Sequence, residues 1–289
     1  MYFYTFKKLI IMKTLKLMLI LATVTMVAVS CGPKKEKQKV LVLYYSQTSN
    51  TKAVAEEIAA RLDADMEEIV PVNPYDPDFK ATIDRCLKDR EEGIVTEIKP
   101  VAADIAKYDL IFIGYPVWFG TYAPPVATYL SQVNLSGKKV VPFCTFGSGG
   151  LESSVRDFNQ QQPEAKIVAS YGVRAARLKA MPKEIDQFLK ENHFIEGEFV
   201  QLGEFSELEP VTEAEEAIFN AAVGDYPMMN AKAELVGSRD IPGGKEYLFL
   251  AVDLPREDNP DMPPAGEMKV YVNALDGQTP EFTNVVRQM

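Results

Sequence analysis

Lys39-Val40-Leu41-Val42-Leu43-Tyr44-Tyr45, running directly into Ser46-Gln47-Thr48-Ser49-Asn50-Thr51, is the stretch on which the fold turns. An unbroken apolar run of strand length is what a parallel strand covered on both faces requires. The segment after it places Val54, Ala55, Ile58, Ala59 and Leu62 on one helical face. Working outward, Met66 to Val70 reads as a second strand, Pro71 to Pro77 as a loop and Phe79 to Glu91 as a charged helix. Tyr108-Asp109-Leu110-Ile111-Phe112-Ile113-Gly114 is the most apolar strand, and a helix from Pro125 to Val133 follows it. A strand over Lys139 to Thr145, a helix over Leu151 to Asn159, a strand over Lys166 to Tyr171 and a helix over Pro182 to His193 complete the series. Strands alternating with helices demand right-handed crossovers. The expectation is an α/β domain over residues 39–196, a doubly wound five-stranded parallel sheet in the order 2-1-3-4-5.

The 289-residue chain is long enough for a second domain. After Glu196 the pattern changes: one helical stretch, Thr212 to Val223, precedes the alternating segments Ala231 to Val236, Tyr247 to Asp253 and Met268 to Ala274. Turns such as Pro242-Gly243-Gly244 and Asp276-Gly277 separate them, so residues 205–289 are expected to form a small α+β domain. The acidic run from Glu204 to Glu216 reads as a solvated linker and helix start.

Residues 1–30 read as a targeting segment: lysines at 7, 8, 13 and 16, an apolar run from Leu17 to Val29, then Ala28-Val29-Ser30-Cys31. Ending on cysteine resembles a bacterial lipoprotein signal, with lipidation at Cys31, and residues 31–38 would then be a tether. The apolar run is shorter than the ~20 residues of a membrane-spanning helix. Tyr2, Phe3, Tyr4 and Phe6 are foreign to a positive leader, so Met12 is the expected start of the signal. The formal charge is −10, and removing the four basic residues of that segment leaves 27 bases against 41 acids, or −14. That balance excludes a nucleic-acid partner, which needs clustered Lys and Arg. Cys86 and Cys144 have no CxxC spacing and read as buried small hydrophobes rather than a disulfide framework. The single histidine, His193, falls at a helix end, which leaves no histidine-based catalyst and no metal site.

Chemistry gathers where strands end. Ser46 to Thr51 puts neutral hydroxyl and amide donors at a strand-to-helix turn, where unpaired helix N–H groups favour a phosphate. Plain N-capping explains that run equally well. The third strand ends in Gly114-Tyr115-Pro116-Val117-Trp118-Phe119-Gly120-Thr121-Tyr122. In the order 2-1-3-4-5 strands one and three flank the switch point, where such sheets take ligands. Aromatics there suit a flat ring system such as isoalloxazine. The fourth strand ends in Thr145-Phe146-Gly147-Ser148-Gly149-Gly150, whose glycines permit close backbone approach.

In combination these motifs make residues 39 to 194 resemble a bacterial flavodoxin, particularly the exported flavodoxin-like proteins with a G-Y-P-x-W loop. The resemblance implies FMN as cofactor. It implies Ser46, Thr48, Asn50 and Thr51 around the phosphate, with Gln47 and Ser49 contributing backbone. It implies Pro116, Val117, Trp118, Phe119 and Gly120 beside the ring, and Thr145, Phe146, Gly147, Ser148 and Gly149 at its other edge. Ser49 stands where the family places glycine, which implies weaker phosphate binding. The C-terminal domain resembles a cystatin-like fold, without an identifiable inhibitor loop. The implied function is electron transfer by a lipid-anchored protein outside the cytoplasm, with a redox protein or small acceptor as partner. The rivals are an FMN-dependent NAD(P)H:quinone-type oxidoreductase and a flavin-free binding module that keeps only the fold.

Overall fold

A computed structural model describes residues 38–224, 226, 229–255 and 266–287. The expected targeting segment, most of the tether and Cys31 lie outside the described residues. Residues 39–289 form one compact unit built on two sheets.

The first sheet opens with β1 (Val40–Tyr44), every residue of which is buried. Leu41 and Leu43 enter one apolar core, Val40, Val42 and Tyr44 the other, so the strand is covered on both faces. Helix α1 (Asn50–Leu62) turns Val54, Ala55, Ile58 and Leu62 inward and ends at Asp63 in the left-handed region. Strand β2 (Asp65–Glu68) is a short, charged edge, starting one residue before the expected Met66 and stopping two short of Val70. Helix α2 (Phe79–Glu92) is capped by the Asp78 carboxylate and closed by Gly93 at φ 66°. Strand β3 (Leu110–Trp118) is four residues longer at its end than the sequence suggested, and β4 (Thr121–Tyr122) folds back on it. Helix α3 (Pro124–Gln132), strand β5 (Lys139–Phe146) and helix α4 (Leu151–Gln161) follow.

The fifth strand position is filled in two pieces, β6 (Lys166–Ile167) and β7 (Tyr171–Arg174), both parallel to β5. The register explains the break: Lys139 pairs Lys166, a separation of 27, whereas Phe143 pairs Tyr171, a separation of 28. One residue is inserted, which is a bulge, and it carries the strand on past Tyr171. Helix α5 (Met181–Glu191) closes the layer, and His193 stands just beyond it, exposed, at φ 57°. The strand order β2-β1-β3-β5-β6/β7 is the expected 2-1-3-4-5 arrangement.

The second sheet is antiparallel: β8 (Glu209–Pro210), β9 (Ala231–Ile241), β10 (Gly244–Asp253), β11 (Glu267–Leu275) and β12 (Glu281–Arg287). Helix α6 (Glu213–Val223) packs Phe219 and Val223 onto its inner face with Phe249, Val270, Val272 and Phe282. Thr212 and Glu215 form a reciprocal capping box at its start, so part of the acidic run caps a helix rather than only facing solvent. The two sheets meet inside the unit where β12 runs beside the loop after β5, with Gly149 and Val285 bridged in parallel.

Candidate functional site

Three chain segments emerge at the carboxyl edge of the parallel sheet, after β1, β3 and β5. The first is Ser46 to Ser49. Ser49 adopts φ 65° immediately before α1, the left-handed region that glycine enters freely and serine does not. That conformation accounts for the glycine this position otherwise favours. The Ser49 side chain caps nothing, and the Ser46 hydroxyl instead accepts from the Lys52 N–H at 3.2 Å, wrapping the loop around the helix start. Thr48 and Ser49 are exposed, and Ser46, Gln47 and Asn50 are half-buried. Gln47 is anchored by its side chain, which accepts from the Tyr45 hydroxyl at 2.7 Å and donates to the Asp76 carbonyl. This ties the side chain down and leaves the backbone of Gln47 to the loop. Thr51 is buried and its hydroxyl lies 2.8 Å from that of Thr145, so these two expected ligands tie the first and third segments together from beneath.

The second segment is a hairpin rather than a loop. Val117 pairs Tyr122, Trp118 pairs Thr121, and Phe119-Gly120 makes the turn with φ of 51° and 81°. Two successive positive φ values are the signature of a turn whose twist matches the flanking strands, and an asparagine or glycine usually stands where Phe119 is. A bulky residue held left-handed stores strain, and such outliers collect at functional sites. Phe119 is 51% exposed, with the Arg90 guanidinium 5.1 Å from its ring centroid, and the Ser153 hydroxyl donates to the Gly120 carbonyl. Trp118, expected to face a ring, is half-buried and meets Tyr45 and Tyr75 edge-to-face, with centroids 5.9 and 5.0 Å away. The open aromatic face belongs to Phe119. Pro116 is still in the sheet, opposite Thr145.

Tyr45, Tyr75 and Arg85 escaped the sequence reading. Arg85 lies 3.9 Å from the Tyr75 centroid, and the Tyr75 hydroxyl shares a 2.7 Å hydrogen bond with that of Thr96. Burial pushes the hydroxyls of Tyr45 and Tyr75 up from their ordinary range, so both stay protonated donors. Tyr45 could have been found as the last apolar residue of the first strand; Tyr75, inside a Pro-rich loop, gave no periodic signal.

The third segment runs from Phe146 to Gly150. Phe146 is buried in the core against Gly172 rather than facing the cleft. Gly147 is exposed, while Ser148 and Gly149 are half-buried. A Cβ on Gly150 would come within 2.6 Å of Val117 Cγ1, and one on Gly149 within 2.0 Å of the Val285 carbonyl oxygen. The segment is thus a partition between the hairpin and β12, and only glycine fits its two faces. Cys144 and Cys86 are free and buried, and burial pushes both thiols up, away from reactivity. Among the described residues no cluster could hold a metal ion and no helix is long and apolar enough to cross a membrane.

A hydroxyl-rich turn opening a helix, an exposed aromatic hairpin and a glycine partition, at one rim of a 2-1-3-4-5 sheet, define a nucleotide-holding α/β domain. Residues 39–180 match the Flavodoxin family model. A Lactobacillus acidophilus flavoprotein, solved in complex with FMN, is 31% identical over 50% of this chain and 98% of its own, with a TM-score of 0.43. The apo form of the flavoprotein from that organism is 29% identical over 47% of this chain and 91% of its own, with a TM-score of 0.39. A candidate flavoprotein from Bacteroides eggerthii is 29% identical over 52% of this chain and 96% of its own, with a TM-score of 0.44. The first domain is thus flavodoxin-like.

Proposed function

We propose that the protein is an FMN-binding electron carrier of the flavodoxin family, exported and held at a membrane by lipid on Cys31. The observation that carries the FMN reading is the meeting of the Ser46–Thr51 turn with the Phe119 hairpin at one sheet edge. The donor set fits the cofactor's two ends. Hydroxyls and the first α1 amides suit a phosphate, and an exposed aromatic beside a glycine partition suits a planar ring. Bound FMN would supply reversible one- and two-electron chemistry, while the protein binds, orients and shields it. Tyr45, Tyr75 and Trp118 form the apolar wall beneath the hairpin, and the Thr51–Thr145 contact fixes the spacing of two of the segments. The acidic composition favours basic redox partners docking from solution. Export and lipidation rest on the lysine–apolar–small–cysteine order before residue 32. One acyl chain anchors weakly, so stable attachment requires several on Cys31.

FMN titration into apoprotein tests the reading. Trp118 is the only tryptophan, so its emission should be quenched as the ligand binds. No quenching at high micromolar FMN overturns the proposal. With flavin bound, slow bleaching by NADPH alone and fast bleaching by a partner reductase is the carrier result. Rapid stoichiometric bleaching by NADPH with quinone turnover would establish the oxidoreductase reading instead.

A further inference from the structure

Two consecutive carbonyls of the third segment are held by hydrogen bonds, one from β7 of its own sheet and one from β12 of the second sheet. Arg174, at the end of β7, is 8% exposed; its Nε donates to the Gly147 carbonyl at 2.8 Å and its Nη1 to the Phe282 carbonyl in β12. The guanidinium lies 3.9 Å from the Phe282 ring centroid and 5.3 Å from that of Tyr226. Among the described residues no carboxylate lies within ion-pair distance of it, in contrast to Arg177, which pairs with Glu184 at 2.7 Å and Glu281 at 2.9 Å. The neighbouring Ser148 carbonyl accepts from the Val285 N–H at 3.0 Å. Every described peptide bond is trans, so each amide points opposite to the carbonyl of its own peptide. Fixing the carbonyls of Gly147 and Ser148 toward Arg174 and β12 therefore turns the N–H groups of Ser148 and Gly149 the other way. No described group accepts from either amide.

We propose that the C-terminal sheet is a working part of the flavin site: through Arg174 and the Val285 N–H it pins the third segment so that the Ser148 and Gly149 amides stand ready for the carbonyl edge of the flavin ring. Arg174 is a positioning residue, acting on the ligand only through Gly147. This inference rests on the FMN reading above. A buried cation is a costly way to hold an interface, because desolvating a guanidinium without a carboxylate must be offset by hydrogen bonds and aromatic contact. Here both go to the two backbones whose spacing decides where the amides point. Reduction puts negative charge on the ring, and a pair of fixed amides favours it.

The test uses the full chain and two ligands, FMN and riboflavin. Arg174→Gln should weaken both by about tenfold, the scale of one or two lost charge-assisted hydrogen bonds. The FMN-to-riboflavin ratio should not change, because the phosphate turn is untouched. The two-electron potential should fall by about 30 mV for each tenfold selective loss against reduced flavin. Glu281→Gln, which breaks the Arg177 ion pair at the same interface and acts on Arg174 only through space, should lower the unfolding midpoint and cost both affinities far less than Arg174→Gln. If Arg174→Gln does not fold, Arg174→Lys carries the test, since lysine cannot make both bonds of the fork and should lose part of the affinity. Wild-type protein that bound neither ligand would overturn the FMN reading and this inference together. Wild-type binding with undiminished affinity in a folded Arg174 variant overturns the inference alone, as does an equal loss of affinity in Glu281→Gln.

Discussion

Replacing Thr51 and Thr145 by valine, singly and together, probes how the site is held. Their hydroxyls are 2.8 Å apart, and both residues are almost fully buried. Valine keeps the shape and removes the oxygen. A single replacement leaves the partner hydroxyl buried and unpaired, which costs about 1–3 kcal/mol, whereas removing both oxygens is close to neutral. The two single losses should therefore far exceed the loss in the double variant, with a coupling of about 1 kcal/mol or more across the cycle. For a unit of this size each kcal/mol moves the melting midpoint by about 2–4 °C, so the single variants should melt clearly below wild type and the double should recover much of the difference. Urea unfolding of the three apoproteins measures the cycle. Additive losses would show that the hydroxyls do not share a bond and would refute the strap between the two segments. An FMN titration adds a second reading: with Thr51 engaged by Thr145, both single variants should lose affinity alike. A loss confined to Thr51→Val and to FMN over riboflavin would place that hydroxyl on the phosphate.

Alkaline titration should be coupled to unfolding: burial first, helped by nearby carboxylates, pushes Tyr44 and Tyr122 up to about 12. A folded pKa above the unfolded value of about 10 contributes stability that is complete below pH 10 and drains away as pH rises toward 12. Absorbance at about 295 nm, where tyrosinate absorbs, should therefore rise together with loss of the folded circular dichroism signal. Ionisation of every tyrosine near pH 10 in a still-folded protein would contradict the burial described. Ser49→Gly should stabilise the apoprotein by about 0.5–1 kcal/mol, because relief of left-handed serine exceeds the entropy glycine brings to the unfolded chain. A lower melting midpoint would refute that balance.

The parallel sheet was legible because its central strands β1, β3 and β5 are apolar on both faces and alternate with helices, whereas the charged edge strand β2 was read from its place in that alternation. Where the reading failed, the periodicity was broken by a local device. The Val117–Tyr122 hairpin read as a loop because Phe119-Gly120 carries no usual turn signature, yet the chain turns there with two positive φ values. The fifth strand was cut short at Tyr171 by an inserted residue that shifts the register from 27 to 28. Strand β12 was not seen at all. Phe282 and Val285 both face the inner core, but a register shift opposite Tyr271 and Val272 spaces them by three residues, a period that belongs to no regular strand. The hydroxyl-rich turn opening α1 was legible in the sequence, whereas Arg174 was not, because a lone arginine after a strand reads as surface until its two carbonyl partners are brought to it.

β12 also bears on the role of the second domain. An edge strand exposes unpaired N–H and C=O groups and must be covered or interrupted. Here one side of β12 pairs with β11, and the Val285 N–H on the other side finds the Ser148 carbonyl of the first domain. The same contact that covers the edge closes one flank of the rim, since Gly149 cannot carry a side chain against Val285. Val117 closes the other flank of the partition at Gly150. What stays open at that rim is the Phe119 tip, over which Arg90 lies, and the exposed Thr48-Ser49 turn. A carrier of this build would meet its partner on the hairpin side. On the Arg174 proposal above, its second domain would govern how firmly the ring-side amides are held.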